Sequence, residues 1–401
     1  MKKLPGIITC LIIAILFASC KKKSGDDDCP VCPVVTSLSP AHGHKGDTVT
    51  IIGNNFGSSA INDIVKFNGT AVDASDMISA TETEIKVIVP PRCGTGPVTV
   101  TIDADLYSDG GPVFTYETTQ VVSLYAGVEG VAAWSNTPVP LTSAQFTGIS
   151  KILIDQAGIM TVVDSNRHRV KKFDPSVNMF RDITPMYYGV IYDIALDNNN
   201  NLYIARESSG GATSCDIYRC LSGAYTSVWS RFFTLPSGGT LVRSIGVDNQ
   251  ANIYCEIIGM FGDASDLLRV RPSASGGADS VVFSGPNMPA ICVKNNDMYI
   301  YCEQWIGVGS DPTLRKLDLT TYTPSTVVTT PNCNNIYCQA MTLKGTVPYV
   351  TDGANIYYVN SASVLTVYPT PSLTGISGFA FDQAGDLYVA GNNCIKKISV
   401  E

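Results

Sequence analysis

Aromatic and polar residues occur together in the stretches of this sequence that are predicted to form loops. Aromatic rings offer flat apolar contact, and neighbouring amide, carboxylate and guanidinium groups fix a ligand's orientation, as a sugar or peptide ligand requires. The candidates are Trp134, Tyr187, Tyr188, Arg206, Glu207, Phe261, Glu303, Trp305, Gln339 and Asp352. Each of them is also consistent with an ordinary loop residue that is half-buried between strands.

Patterns that indicate catalysis or metal binding are sparse. The chain has three histidines, His42, His44 and His168, and the first two fall in a different unit from the third. A metal held by several histidines is therefore not expected, because each ligand needs its own residue. Cys29 and Cys32 have zinc-type spacing, but no second pair stands near them. Without a nucleophile elbow or an ordered Ser/His/Asp set, we assign no catalytic residue and no metal ligand.

The elements that would position the loop residues are short strands that repeat along residues 120–401. In each repeat the first strand ends in Asp or Lys, and the second strand carries Tyr or Thr at a fixed register position. The first strands end at Asp155, Asp197, Asp248, Lys294, Lys344 and Asp382, and the second strands align on Thr161, Tyr203, Tyr254, Tyr299, Tyr349 and Tyr388. Six repeats of this size predict a six-bladed β-propeller with four strands in each blade.

The first repeat resembles a known family. Asp155-x-x-Gly158, Val162–Asp164 and Asn166–Val170 are similar to the NHL repeat of six-bladed propellers. The resemblance implies that a ligand binds at the mouth of the central channel, on the face that carries the candidate loops. Regucalcin-like lactonases share such folds and hold a metal through Glu, Asn and Asp, so a metal-dependent hydrolase of that type, acting at the channel mouth, is the alternative function.

The last repeat stops after its third strand, so its fourth strand must come from elsewhere in the chain. Gln120–Gly127 is a strand that remains unassigned before the first repeat. We predict that it pairs with Cys394–Val400 and closes the ring, because closure removes both open sheet edges.

Residues 34–117 form a unit of a different kind. Short strands are predicted at Val49–Ile51, Ile64–Asn68, Glu84–Val89 and Pro97–Ile102, which indicates an immunoglobulin-like sandwich. Ser39-Pro40, Gly46-x-Thr48–Ile51, Asn55–Gly57, Val89–Pro91 and Phe114–Tyr116 closely resemble the IPT/TIG family. That resemblance implies a spacer or interaction module, and we assign no chemistry to this unit.

The N-terminus has the pattern of an export signal. Met1–Lys3 is a charged segment, and the apolar run Ile7–Phe17 that follows is too short to span a membrane. Leu16–Cys20 resembles a bacterial lipobox, which implies that the mature protein begins at Cys20 and is lipidated there. An ordinary signal peptide with a coincidental cysteine is the other interpretation.

Composition narrows the partners. The net charge is −8 and no basic run exists beyond Lys21–Lys23, so nucleic acid is not an expected partner.

The chain has 13 cysteines, and some of them are candidates for disulfide bonds. Because an exported protein can form disulfides, the short intervals Cys215/Cys220 and Cys333/Cys338 are candidate pairs.

These patterns predict an all-β protein in four parts. They are a signal peptide (1–19), a disordered tether (20–33), an IPT/TIG domain (34–117) and an NHL-type six-bladed propeller (120–401). We expect a non-catalytic outer-membrane lipoprotein, exposed at the cell surface, whose propeller binds a carbohydrate or a partner protein. Membrane contact would be through the lipid anchor alone, and no cofactor is expected, although Ca²⁺ remains open.

Overall fold

The computed structural model describes residues 32–57, 64–102, 106–108, 110–133, 139–184, 189–208, 215–223, 229–234, 241–258, 265–270, 278–285, 288–302, 313–328, 338–371 and 373–401. The predicted signal peptide, Cys20 and nearly all of the predicted tether lie outside these ranges. The chain divides into two compact units after Thr118. Within the described ranges no helix is long and apolar enough to cross a membrane.

The N-terminal unit is a sandwich of two sheets. The first sheet contains Val34–Ser39, Thr48–Asn54, Glu84–Ile88 and Met77–Ala80 in that spatial order. The second contains His42–Gly43, Val113–Tyr116, Gly96–Ile102, Ile64–Phe67 and Thr70–Ala71, with Leu106–Tyr107 beside Gly96–Ile102. A short 3-10 turn, Ala74–Asp76, precedes Met77–Ala80.

Strict alternation along these strands builds the core of the sandwich. Val49, Ile51, Ile85 and Val87 are fully buried on one sheet, while their neighbours in sequence are exposed or half-buried. The same period-two pattern holds on the facing sheet, where Phe67 and Phe114 meet edge to face with ring centroids 5.1 Å apart. The predicted immunoglobulin-like sandwich is confirmed.

The C-terminal unit is a propeller of six sheets, which we number as blades 1 to 6 in chain order. Blade 1 contains Ile149–Ile154, Met160–Asp164, Arg169–Asp174 and Met179–Asp182, with Val139–Pro140 on its outer edge. Blade 2 contains Ile191–Leu196, Leu202–Glu207, Cys215–Cys220 and Ser230–Thr234. Blade 3 contains Leu241–Val247, Ile253–Ile258, Ser265–Val270 and Ala278–Gly285. Blade 4 contains Ala290–Lys294, Asp297–Cys302, Thr313–Asp318 and Pro324–Val328. Blade 5 contains Ala340–Lys344, Val347–Thr351, Ile356–Val359 and Leu365–Val367. Blade 6 contains Gly378–Phe381, Leu387–Gly391, Cys394–Val400 and Gln120–Gly127. The first strand of each blade is the innermost. Leu141–Ser143 and Ser165–Arg167 are short 3-10 turns.

The ring closes as predicted. Gln120–Gly127 pairs antiparallel with Cys394–Val400, in a register that joins Gln120 to Val400 and Gly127 to Cys394. The main chains of Thr119 and Glu401 add two reciprocal N–H···O bonds of 2.8 Å. The two ends of the propeller are therefore held in one sheet, which leaves no break between blade 6 and blade 1.

The repeated aspartates shape the turns after the inner strands. Asp155, Asp197 and Asp248 each accept two main-chain N–H bonds through Oδ1, from residues two and four positions later. Their side chains are at most 9% exposed. Blades 4 and 5, which carry Lys294 and Lys344 instead, reverse with shorter turns, because Lys294 pairs directly with Asp297 and Lys344 with Val347. The aspartates are thus structural.

One predicted disulfide is wrong. Cys215 and Cys220 are both free thiols, and they stand at opposite ends of the six-residue strand Cys215–Cys220. Five residues of extended chain span about 16 Å, whereas bridged cysteines have Cα atoms within about 7 Å. The interval is a strand rather than the loop that we expected. Cys333 of the second candidate pair lies outside the described ranges.

Candidate functional site

A cavity runs along the centre of the propeller. It has a volume of about 210 Å³ and is lined by the innermost strands of all six blades. A second cavity of about 180 Å³ shares Lys151, Ile291, Ala340 and Met341 with it and is lined by the first residues of the inner strands of blades 1 to 5. This second cavity is the mouth of the channel, and we call it the mouth cavity.

Three polar residues from three blades meet in the mouth cavity. The ammonium of Lys151 (blade 1) donates to Oδ1 of Asp193 (blade 2) at 2.5 Å. Oδ2 of Asp193 accepts the Oγ–H of Ser244 (blade 3) at 3.0 Å and the main-chain N–H of Ile245 at 2.8 Å. The hydroxyl of Ser244 in turn accepts the N–H of Ile291 (blade 4) at 3.3 Å. This chain of bonds links four consecutive blades.

A recurring backbone irregularity accompanies these residues. The inner strands of blades 1, 2 and 3 each carry a β-bulge, at Ser150, Tyr192 and Arg243, whereas the inner strands of blades 4 to 6 keep a continuous register. All three bulged residues line the mouth cavity. A bulge inserts one unpaired residue and redirects its side chain, and bulges are common beside binding sites.

The opposite side of the ring is built from small residues. Four positions before the aligned Asp or Lys of each repeat (Asp155, Asp197, Asp248, Lys294, Lys344 and Asp382), blades 1 to 3 have Lys151, Asp193 and Ser244, whereas blades 4 to 6 have Ala290, Ala340 and Gly378. Ala290 and Ala340 line the mouth cavity. The channel mouth is therefore polar on one side and has open volume on the other.

Two half-buried groups of the inner strands, the thiol of Cys292 and the hydroxyl of Tyr192, are held in their neutral forms. Burial raises the pKa of Cys292 to about 12, while the nearby Lys151 ammonium opposes that shift. The Cys292 thiol donates to the carbonyl of Met341 at 3.0 Å. The pKa of Tyr192 is also raised, mainly by burial and further by the carboxylate of Glu207. Neither group is poised to act as a nucleophile at neutral pH.

Of the predicted ligand contacts, Gln339 lies in the mouth cavity. It is exposed and immediately precedes the inner strand of blade 5, where its N–H bonds to the carbonyl of Thr351 at 2.9 Å. Asp352 follows Thr351 at the same end of the blade. Its carboxylate accepts the N–H groups of Ala354 and Asn355 and the hydroxyl of Tyr357, at 2.7–2.9 Å. Although burial opposes the shift, these bonds lower the pKa of Asp352, so this side chain shapes a turn.

Arg206 and Glu207 lie at the corresponding end of blade 2, where Arg206 pairs with Ile191 at the start of the inner strand. Arg206 is only 2% exposed, and its guanidinium lies 5.8 Å from the ring centroid of Tyr218. Glu207 accepts the N–H of Val190 at 3.2 Å. We expected both side chains to face a ligand, but the guanidinium of Arg206 packs within its blade.

The remaining candidates lie outside the described ranges. They are Trp134, Tyr187, Tyr188, Phe261, Glu303 and Trp305. Sequence reasoning did not single out Lys151, Asp193, Arg243 or Ser244. A signal for them was present, because Lys151 and Asp193 occupy the same register position in the largely apolar inner strands of neighbouring blades, and charged residues are seldom buried unless they are paired.

The donor set of the mouth cavity does not suit a metal ion. Asp193 contributes a carboxylate, but this group is already neutralised by Lys151 and accepts three hydrogen bonds. Across the described ranges no three His, Cys, Asp or Glu side chains converge as metal ligands. Cys32, half of the zinc-type pair considered above, is disulfide-bonded.

The chain is similar to one known domain family and to several solved structures. Residues 33–116 match the IPT/TIG domain family. The fold resembles an auxiliary nutrient binding protein from Bacteroides ovatus, with 14% identity, a TM-score of 0.62, and coverage of 92% of this chain and 98% of that one. It also resembles a Bacteroides thetaiotaomicron protein of unknown function, with 15% identity, a TM-score of 0.58, and coverage of 93% of this chain and 99% of that one. A further similar structure is an auxiliary nutrient binding protein from Bacteroides thetaiotaomicron, with 13% identity, a TM-score of 0.53, and coverage of 92% of this chain and 98% of that one. No curated protein sequence matches the chain.

These identities are low enough that the structural likeness defines the fold alone. The chain contains an IPT/TIG domain of immunoglobulin-like fold, followed by a six-bladed propeller that its own N-terminal strand closes.

Proposed function

We propose that this protein is a non-catalytic lipoprotein of the cell envelope whose propeller binds a soluble carbohydrate at the channel mouth. The mouth cavity carries this proposal. It is concave, combines polar groups from blades 1 to 3 and Gln339 with small apolar residues, and lies where propellers present their loops. The names of two structural neighbours, auxiliary nutrient binding proteins of Bacteroides, support ligand capture as the role.

The remaining features fit a capture role at the membrane surface. In this proposal Cys20, at the end of the lipobox-like Leu16–Cys20, carries the lipid, and residues 20–33 tether the protein to the outer membrane. The IPT/TIG domain acts as a spacer, and the propeller is of the NHL type. The aromatic candidates Trp134, Tyr187, Tyr188, Phe261 and Trp305 would extend the binding surface around the mouth, with Glu303 among them.

The cavity also indicates the size of the ligand group that it receives. At about 180 Å³ it is smaller than the roughly 300–1,000 Å³ clefts that enclose drug-sized ligands. A single sugar ring, or one end of a longer glycan, fits this description better than a folded protein partner does.

Hydrolysis of the lactonase type is not favoured. Such enzymes need a cation held by free oxygen ligands. In the mouth cavity Lys151 occupies the position beside Asp193, and two cationic side chains line the same space.

The direct test is a thermal-shift and calorimetric screen of the full-length protein, purified in detergent, against soluble glycans. A ligand that binds only the folded state raises the melting temperature as its concentration rises. We expect a saturable shift with a glycan, weakened by Gln339→Ala and by Trp305→Ala. Lys294→Gln is the matched control, because Lys294 lines the central channel but not the mouth cavity.

Three outcomes would count against the proposal. If no glycan shifts the melting temperature while an envelope protein binds saturably, the ligand is a partner protein. If Lys294→Gln weakens binding as much as Gln339→Ala does, the mouth is not the site. Turnover of a lactone that depends on Ca²⁺ would place the protein among the hydrolases.

A further inference from the structure

The mouth cavity differs in charge from the protein as a whole. Its lining includes the cationic side chains of Lys151 and Arg243 and the carboxylate of Asp193, a local balance of one positive charge in a chain of net charge −8. The Asp193 carboxylate is fully used inside the protein, by Lys151, Ser244 and the N–H of Ile245. A ligand therefore meets cationic donors at this mouth.

We infer, given the carbohydrate-binding function proposed above, that the mouth selects sugars that carry a carboxylate. Arg243 is the group assigned to bind that carboxylate, and Lys151 lines the same cavity. Arg243 is exposed, is the extra residue of the blade 3 bulge and lines the mouth cavity. A guanidinium has five N–H donors in a planar fork, so it can bind a carboxylate through two of them while keeping its contacts to the protein.

Lys151 strengthens the preference. Its side chain is 23% exposed, and its ammonium gives one of its three N–H donors to Asp193. The ammonium is held on the polar side of the mouth by that bond. Ala290 and Ala340, on the other side, leave the volume that a sugar ring needs. Gln339 adds an amide, which can donate to or accept from a ring hydroxyl.

The overall charge narrows the class of anion. A chain of net charge −8 repels polyanions at long range, so a nucleic acid or a highly sulfated polysaccharide is disfavoured as it approaches. A single carboxylate on a sugar ring suffers little of this repulsion, yet it gains charge-assisted hydrogen bonds on entry. The ligand class that fits is a uronic acid, free or at the end of an acidic oligosaccharide.

The test compares pairs of sugars that differ only at C6. Isothermal titration would measure binding of glucuronate against glucose, and of galacturonate against galactose, to the full-length protein in detergent. We expect a uronate to bind at least about tenfold more tightly than its neutral partner, because a charge-assisted pair exceeds a neutral one by that factor or more. Raising the salt concentration should erode the difference, since the pair is partly solvent-exposed.

Substitutions at single residues test which side chain produces the preference for the uronate. Arg243→Gln should remove most of the preference for the uronate, measured as the ratio of the two dissociation constants, because a glutamine amide forms no charge-assisted pair with a carboxylate. Lys294→Gln, an equivalent loss of charge in the channel below the mouth, should leave the preference intact. Arg243→Lys keeps the positive charge but loses the planar fork of the guanidinium, so it should retain part of the preference, and it tests the assignment if Arg243→Gln fails to fold.

The outcomes separate this inference from the function on which it rests. If the neutral sugar binds as tightly as its uronate, carbohydrate binding stands and selection of a carboxylate is wrong. If Arg243→Gln and Lys294→Gln reduce the preference equally, the anion is not bound at the mouth. If neither sugar of any pair, nor an acidic or neutral oligosaccharide, binds, the proposed function itself fails.

Discussion

The hydroxyl of Tyr254 donates to Oδ2 of Asp248 at 3.1 Å, six positions earlier in the chain. Tyr203 makes the same bond to Asp197, and Tyr388 to Asp382, both at 3.2 Å. In each of these blades Oδ1 of the aspartate caps the turn and Oδ2 anchors the following strand. In these three blades the repeated Asp and Tyr of the sequence are therefore hydrogen-bonded partners that join the turn to the second strand.

Removing one of these hydroxyls should weaken the propeller without altering the mouth cavity. We expect Tyr254→Phe to lower the free energy of unfolding by about 2 kcal/mol, since a buried hydrogen bond to a charged acceptor is lost. Urea unfolding followed by fluorescence measures this change. Tyr299→Phe is the matched control, because blade 4 has Lys294 in place of the aspartate; an equal loss in both variants would contradict the pairing.

The Lys151–Asp193 pair should respond to substitution in a different way from the Asp–Tyr pairs. Asp193→Ala leaves the Lys151 ammonium and the hydroxyl of Ser244 without their acceptor, and we expect a loss of about 3 kcal/mol. Replacing both charges, in Lys151→Met/Asp193→Leu, should restore part of that stability, because no unpaired charge remains. Thermal unfolding of the single and double variants measures the coupling, and strict additivity would argue against it.

Ring closure should be essential for cooperative folding. Deleting residues 394–401 removes the strand that pairs with both Gln120–Gly127 and Leu387–Gly391, so both would become open sheet edges. We expect this truncation to broaden the thermal transition of the propeller and to speed its proteolysis. Deletion of Glu401 alone removes its two main-chain bonds to Thr119 but leaves the pairing of Gln120–Gly127 with the rest of the last strand, so it should cost no more than ~2 kcal/mol. A sharp transition in the longer truncation would show that closure is dispensable.

Alkaline pH should destabilise the fold. Burial raises the pKa of Cys215 from 9.0 to about 12, and that of Tyr203 from 10.0 to about 12. Tyr125 and Tyr349 are raised to the same value, and Cys302 to about 11. The folded state thus holds these protons after the unfolded chain has lost them. These groups leave the free energy of unfolding unchanged well below pH 9 and lower it as the pH rises from about 9 to about 12.

Urea unfolding at a series of pH values tests this sign. The free energy of unfolding should fall more steeply with pH above pH 10, where tyrosines of the unfolded chain ionise together with its cysteines. Cys215→Ala removes one titrating group and should flatten the curve between pH 9 and pH 10. Stability that rises with pH over this interval would overturn the assignment of these groups as buried and neutral.

The sequence by itself determined the architecture. Alternation in strands such as Thr48–Asn54 fixes which face is buried, and Asp248 and Tyr254 recur at fixed spacing because each blade must make the same turn. These constraints are local, or repeat at a fixed interval, so they can be read along the chain. The closing strand followed from the same logic, since a ring with one strand missing requires a donor.

Only the tertiary structure decided which residues form the mouth. Lys151, Asp193 and Ser244 belong to three blades, and they meet only because those blades are arranged around one axis. The bulges at Ser150, Tyr192 and Arg243 leave no mark in the hydrophobic pattern, since a bulge is a relation between two strands rather than a property of one. The burial of Arg206 within blade 2 could not be predicted from the sequence either. A residue at the end of a strand can point into the loop or pack inside the blade, and the sequence pattern is the same in both cases. Spacing along the chain specifies turns and strands, whereas convergence in space depends on how the blades pack.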